Sequence, residues 1–312
     1  MTANASARQT GFLSRILNTI SNNEAILGLI FVLPSLIGFT AFFAVPAIRS
    51  IFISFTEWNL LREPEWVGLA NYQDIFADER FWRSLTITIS YVLWNIPIQT
   101  VLAVIMALLM NRVSNSAIFR SIMILPWLMP NVIVASLFLW LLDPTLGIVN
   151  IALEAVGIGR QGFFGLPDQA IATIAGVNIW RHMGYNAVLL FAGLKTIPTS
   201  LYEAATVDGA NASTRFFRIT LPLLRPVLAF VIITSVIGSF QIFDTIAVTT
   251  QGGPAGATRT IIFYIYQEVF ERRISMGTAT AASTVLFLIL VTITLIQNRF
   301  FRSDRSDLAE YS

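Results

Sequence analysis

The sequence predicts an all-α membrane protein with about six transmembrane helices. Of its 312 residues, 55% are hydrophobic and 12% are charged, and the mean hydropathy is +0.70. Soluble domains are close to a quarter charged, so this balance indicates lipid as the main solvent of the chain. The apolar residues also fall in runs of roughly 20, the length at which a helix crosses a bilayer.

The apolar runs divide the chain into a central transmembrane domain, residues 25–300, and two tails at 1–24 and 301–312. The first run is too long for a cleaved signal peptide, so we expect a retained helix. Prolines inside several runs predict kinks, which a bundle tolerates because neighbouring helices satisfy the freed carbonyls. The spans are expected at about 26–55, 85–110, 118–142, 170–194, 222–243 and 276–300.

Charge in the connecting segments favours an orientation with both termini in the cytoplasm. In that orientation a small majority of the 20 Lys and Arg residues lie on the inner side. Most of the 18 Asp and Glu residues then lie outside. Because cytoplasmic loops of membrane proteins carry an excess of Lys and Arg, the bias supports this orientation over its reverse.

Several kinds of chemistry are excluded by what the sequence lacks. The chain has no cysteine, one histidine and a single lysine, Lys195, which removes disulfides, thiolate metal sites and cysteine nucleophiles. It has no phosphate-binding Gly-x-x-x-x-Gly-Lys-[Ser/Thr] loop and no hydrolase or metalloprotease motif. A net charge of +2 does not indicate nucleic-acid binding. We therefore predict no catalytic residue, no metal site and no cofactor on this chain.

The segment at about 195–222, between the fourth and fifth spans, carries residues that predict its local structure. Pro198 opens a short alanine-rich helix over 201–207, and Asp208-Gly209 ends it, because glycine adopts the left-handed conformation at low cost. A second amphipathic stretch leads into the fifth span. The residues alone leave two alternatives open: a docking element that projects into the cytosol, or a loop that lies on the membrane surface.

The spacing within this segment resembles the EAA loop of bacterial ABC importer permeases. That pattern is Glu-Ala-Ala, three residues, Gly, nine residues, Ile, one residue and Leu-Pro. A second stretch, 250–254 (Thr-Gln-Gly-Gly-Pro), is similar to an outer turn of carbohydrate permeases of the maltose and glycerol-phosphate type. The residues that match the loop pattern are Glu203, Ala204, Ala205, Gly209, Ile219, Leu221 and Pro222.

The resemblance implies an ABC importer permease of the maltose-type fold in a bacterial inner (plasma) membrane. The loop would then form coupling helices that seat on a separate ATP-binding subunit, with Glu203 and Asp208 as polar contacts and Gly209 as the pivot. Its implied partners are a second permease, two ATP-binding subunits that hold ATP and Mg, an extracytoplasmic solute-binding protein and the lipid bilayer. Transport would proceed by alternating access.

Polar residues inside the spans mark a candidate substrate pathway, because ionisable side chains are costly in lipid. In the maltose-type family, residues of the fourth and fifth spans contact the sugar, and the resemblance carries that role to matching positions here. The cations Arg181 and His182 motivate a further hypothesis, that the substrate bears an anionic group. The candidate pathway residues are Arg181, His182, Tyr185, Asn186, Ser239, Phe240, Gln241 and Asp244.

Other interpretations of these residues stay open at the level of sequence. Arg181 could snorkel to the outer interface or pair with Asp244, and a lone histidine is more often structural than functional. Weaker candidates for the pathway are three amides that could instead form only interhelical hydrogen bonds: Asn95, Gln99 and Asn131.

Two other functions compete with the permease interpretation. A secondary transporter driven by an ion gradient would carry interrupted helices in inverted repeats and carboxylates in mid-span, and neither is evident. A membrane enzyme would need clustered acids or nucleophiles, which the sequence lacks.

Overall fold

The computed structural model describes residues 24–113, 117–272 and 275–302, so the predicted tails lie almost entirely outside the described residues. Helices form most of it, together with one short hairpin of β1 (Thr56–Glu57) and β2 (Glu65–Trp66). The α-helices are α1 (Glu24–Phe39), α2 (Val45–Ile53), α3 (Ala70–Ala77), α4 (Glu79–Val113), α5 (Ala117–Leu128), α6 (Asn131–Leu141), α7 (Ile148–Ala155), α8 (Pro167–Leu194), α9 (Thr199–Val207), α10 (Ala212–Arg215), α11 (Leu221–Phe240), α12 (Asp244–Thr249), α13 (Ile261–Gln267) and α14 (Met276–Arg302).

The described residues contain four helical stretches that are long and apolar enough to cross a bilayer, and a bent pair, α5 and α6, that brings the number to five. The predicted fourth span, α8, has 28 residues, about 42 Å of helix, but polar residues such as Asn178 and Arg181 lower its hydropathy. The prediction of an all-α membrane protein is confirmed. The four stretches are Leu27–Ile53, Glu79–Asn111, Ala212–Thr249 and Met276–Phe301.

The third predicted span, 118–142, is not one helix. α5 ends at Leu128, α6 begins at Asn131, and the two axes are bent by 91°. Pro130 precedes α6 with an extended backbone (ψ 139°) and has no N–H to continue the helix. The sequence pattern indicated a kink here, but it did not show that the chain would turn through a right angle.

The fifth span begins ten residues earlier than predicted, because a π-turn carries the helix through Pro222. The Leu221 N–H donates to the carbonyl of Phe216, five residues back, so the helix is continuous from Ala212. The wider turn relieves the clash between a proline ring and the preceding helical turn.

Close helix packing places α5 and α11 against α8. A Cβ atom on Gly184 of α8 would lie 1.7 Å from the carbonyl oxygen of Met123 in α5, so no larger residue fits. A Cβ atom on Gly193 would lie 2.8 Å from Cγ2 of Val227 in α11. These glycines let the helix backbones approach closely, as is typical of membrane bundles.

An ionic network joins the start of α4 to the π-turn Glu268–Arg272 that follows α13. Nη2 of Arg80 lies 3.1 Å from Oε1 of Glu268, and the same guanidinium binds Asp78. Burial alone would raise the pKa of Asp78, but the hydrogen bonds and charge of Arg80 hold that pKa below its ordinary value. This network fixes one end of the bundle near the loop that precedes α4.

Candidate functional site

A cavity of about 320 Å³ opens where α4, α5, α8 and α11 meet, beside the short breaks between α5 and α6 and between α11 and α12. Most of the residues that line it are of polar type, although the surrounding helices are apolar elsewhere. The polar and aromatic lining residues are Gln99, Trp127, Asn131, Asn178, His182, Tyr185, Asn186, Phe230, Thr234, Ser235, Ser239, Gln241, Phe243, Asp244 and Thr245.

One face of α8 supplies amide, imidazole and phenol groups to the cavity. Asn178, His182 and Asn186 are spaced by four residues, which places them one above another on a helix, and Tyr185 lies beside them. Asn186 is buried, and its Nδ2 donates to Oγ of Ser235 in α11 at 3.3 Å. The polar face of α8 therefore meets a polar face of α11.

Hydrogen-bonding capacity in the cavity exceeds what the protein itself uses. Nε2 of Gln99 donates to Oγ of Ser235 at 3.3 Å, and Nδ2 of Asn95 donates to Oγ of Ser239 at 2.9 Å. Oε1 of Gln99 is buried and accepts no hydrogen bond from the described residues. Since a buried acceptor without a partner is costly, a small movement of the lining that lets a ligand hydroxyl or a water reach this atom would be favourable.

An aromatic pair forms another part of the wall. The rings of Trp127, near the end of α5, and Tyr185 in α8 are stacked, with centroids 4.4 Å apart and planes inclined by 12°. Flat aromatic faces beside amides and hydroxyls are the usual composition of a site for a small polar ligand with an apolar face.

Arg181 is not among the lining residues, although the sequence suggested that it would be. Its Nη2 donates to the carbonyl oxygens of Trp127 (3.1 Å) and Met129 (3.0 Å), at the break between α5 and α6. The predicted alternative partner, Asp244, forms no direct ion pair with Arg181 and accepts from Nδ2 of Asn131 at 2.7 Å, although its charge is near enough to act on the guanidinium. The guanidinium therefore satisfies main-chain carbonyls at the break between the two helices.

His182 is held as the neutral tautomer with its proton on Nδ1. Nη1 of Arg181 lies 3.0 Å from Nε2 of His182, and because arginine can only donate, Nε2 accepts. Nδ1 then donates to the carbonyl of Asn178 at 3.0 Å. The two residues that motivated the anionic-substrate hypothesis are thus both engaged within the protein.

The structure brings together six of the eight candidate pathway residues. His182, Tyr185, Asn186, Ser239, Gln241 and Asp244 line the cavity. Phe240 does not, because it points from the other side of α11 into an apolar cluster and is 3% exposed. The role of all eight in a substrate pathway stays a prediction.

Sequence reasoning missed Trp127, Asn178, Thr234 and Ser235. The four-residue spacing of Asn178 to His182, and of Ser235 to Ser239, was a usable signal for two of them. No sequence signal separates Trp127 from the tryptophans that face lipid, such as Trp140, which is 67% exposed.

The predicted coupling segment folds as a compact two-helix unit, α9 and α10, which we call the coupling unit (residues 199–215). Gly209 has φ +75°, and the N–H groups of Gly209 and Ala210 donate to the carbonyls of Thr206 and Ala205, which closes α9 with a Schellman motif. The side chain of Asn211 accepts from the Thr214 N–H and caps α10.

The coupling unit presents its motif residues to the outside of the bundle. Glu203, Ala204, Asp208, Gly209 and Pro222 are exposed, while Ala205, Ile219 and Leu221 are half-buried. Apolar side chains beside them are also exposed: Val207 by 89% and Phe217 by 61%. A rigid unit with exposed apolar and acidic side chains is suited to contact another protein.

The family follows from a direct comparison. Residues 99–305 match the family described as the binding-protein-dependent transport system inner membrane component. The chain belongs to this family. It is an ABC transporter permease of the inner membrane, and the match does not favour the ion-driven secondary transporter.

Three similar proteins cover nearly the whole chain. The chain is 31% identical over 293 residues to the trehalose/maltose transport system permease protein MalF of Thermococcus litoralis, covering 93% of this chain and 99% of the relative. It is 31% identical over 278 residues to the sn-glycerol-3-phosphate transport system permease protein UgpA of Agrobacterium fabrum, covering 88% and 94%.

The third is a solved structure, a bacterial alginate ABC transporter in complex with an alginate pentasaccharide-bound periplasmic protein. It aligns with a TM-score of 0.79 at 25% identity, covering 92% of this chain and 97% of that chain. The permease fold that the sequence predicted is therefore confirmed.

Proposed function

We propose that this permease forms, with a second permease, the pathway of a sugar or sugar derivative that an extracytoplasmic solute-binding protein delivers. The cavity between α8 and α11 carries the proposal. It combines the stacked Trp127 and Tyr185 rings, two serine hydroxyls and the buried Gln99 acceptor, which together suit the apolar face and the hydroxyl rim of a sugar ring. The relatives named for trehalose/maltose and for alginate support the same class.

The lining favours an uncharged part of the cargo. Asp244 contributes a carboxylate, His182 is neutral, and the guanidinium of Arg181 is directed at main-chain carbonyls. A cargo with a phosphate, sulfonate or carboxylate, as the name of UgpA suggests for that relative, would find its countercharge elsewhere in the pathway. Uptake that is restricted to anionic sugars, and that loses this preference in Arg181→Ala, would restore the anionic-site hypothesis.

The coupling unit suggests how the energy of ATP hydrolysis reaches the permease. We infer that it docks on one of two separate ATP-binding subunits, which bind ATP and Mg and hydrolyse the nucleotide. Closure of those subunits would move the unit and convert the helices between inward- and outward-facing states. In this arrangement the coupling unit and both termini would lie in the cytoplasm.

Gln99→Leu tests the sugar cavity. We expect initial uptake in proteoliposomes to fall about tenfold at subsaturating sugar, because a sugar hydroxyl loses its acceptor while the side-chain volume is nearly kept. The probe is the sugar that the cognate binding protein binds in a thermal-shift screen.

Gln297→Leu is the matched control, since Gln297 also has a buried Oε1 without a donor but lies on α14 away from the cavity. We expect this control to transport at the rate of the unmodified chain. Equal uptake by the two variants would show that the cavity does not recognise the cargo.

A further inference from the structure

The break between α5 and α6 leaves main-chain carbonyls that need partners. The last carbonyls of a helix accept no hydrogen bond from within that helix. In lipid each of them must therefore be satisfied by another part of the protein. Those of Trp127 and Met129 both accept from one nitrogen, Nη2 of Arg181, at 3.1 and 3.0 Å. The positive charge also lies at the carboxyl end of α5, where a cation stabilises the helix dipole.

The same guanidinium is fixed from its other side. Nη1 donates to His182, which is itself anchored on the Asn178 carbonyl one turn earlier in α8. A planar guanidinium with donors in a rigid fork can hold both ends of this arrangement, whereas the ammonium of lysine is a point charge on a flexible stem. Arg181 therefore joins α8 to the last turn of α5 in a defined geometry.

Trp127 is the residue in which these contacts meet the cavity. Its carbonyl is bound by Arg181, and its ring stacks on Tyr185, one turn further along α8 than Arg181. α5 and α8 already touch at Gly184, where no Cβ atom fits. Glycine contact fixes the distance between the helices, and the Arg181 contacts fix where the end of α5 lies along α8.

We propose that Arg181 is a positioning residue that holds Trp127 on Tyr185 and so sets the aromatic wall of the cavity, without contacting the cargo. The use of that wall in sugar recognition rests on the proposed function. The placement of Trp127 by Arg181 does not, since it concerns the protein alone. Arg181 thus fixes the position of the Trp127 ring through the main-chain carbonyls at the end of α5.

The test is ¹⁹F NMR of the assembled transporter labelled with 5-fluorotryptophan, without added sugar. The chain has 7 tryptophans, and the resonance of Trp127 is assigned by its loss in Trp127→Phe. In Arg181→Met we expect the Trp127 resonance to shift or to split into several, while the resonances of Trp66 and Trp82, which pack on other parts of the chain, stay in place. Arg181→Lys should restore part of the original resonance, because the ammonium can still donate to one carbonyl.

Arg225→Met is the control, because Arg225 also donates to a main-chain carbonyl, that of Phe300 at 3.3 Å, but lies away from the break. It should leave the Trp127 resonance unchanged. An unchanged Trp127 resonance in Arg181→Met would overturn the proposal, as would equal movement of all the tryptophan resonances, which would indicate general support of the bundle. If the cavity proved not to bind a sugar, the spectra expected here would be the same, because they are recorded without sugar.

Discussion

Gly209→Val abolishes co-purification of the ATP-binding subunit with this permease and reduces ATP-driven uptake more than tenfold, on our account. Gly209 has φ +75°, a conformation that a β-branched residue avoids at a cost of about 1–3 kcal/mol. The substitution would open the Schellman turn and change the angle between α9 and α10. Affinity purification of the complex followed by quantification of the ATP-binding subunit measures the effect.

The effect can be separated from general misfolding. A Cβ atom at Gly209 meets nothing within 4 Å, so the valine adds no steric clash to the bundle and acts only on the turn. Gly157→Val is the matched control, since Gly157 also has a positive φ (+80°) and open space around its Cβ position, and lies on the connection between α7 and α8. Retained subunit binding in Gly209→Val would show that the geometry of this turn is not used in docking.

Gly184→Val disrupts the bundle itself, and we expect it to have the largest effect on stability. The added Cβ would lie 1.7 Å from the Met123 carbonyl oxygen, a main-chain atom that cannot rotate away. Overpacking of this kind costs about 3 kcal/mol, and moving α5 would also separate Trp127 from Tyr185. The measurement is the thermal midpoint of the purified transporter in detergent, together with uptake.

The control for this substitution lies on the same helix. Gly176→Val places a valine at a position of α8 where a Cβ meets nothing within 4 Å. We expect its thermal midpoint to stay close to that of the unmodified chain. If Gly184→Val were equally stable, the close approach of α5 to α8 would not be a feature of the folded protein.

The sequence predicted the spans well because hydropathy acts over about 20 residues and is insensitive to detail. It predicted the coupling turn for a local reason, since the conformation of Asp208-Gly209 depends on the glycine itself. The right-angled break at Pro130 was out of reach, because the direction of a bend is decided by tertiary contacts. Here those contacts are the bonds from Arg181 to the end of α5.

The cavity was predictable only in part, for the same reason. Polar residues in α8 and α11 could be recognised as costly in lipid, and most of them do line the cavity. Whether a given polar side chain faces the ligand or the main chain depends on what lies opposite. Arg181 was expected in the wall of the cavity, whereas its side chain is directed at main-chain carbonyls of the break. Phe240 was expected beside Ser239, whereas its ring lies in an apolar cluster on the other side of α11.

Site-directed photocross-linking from Val207 tests the docking of the coupling unit most directly. The chain has no cysteine, so Val207→Cys provides a single attachment site for benzophenone maleimide, on a side chain that is 89% exposed. In membranes that contain the assembled transporter, we expect an adduct with the ATP-binding subunit. The same label at Leu146→Cys, 79% exposed on the loop after α6, should give none. An adduct of Val207→Cys with lipid alone would contradict the account.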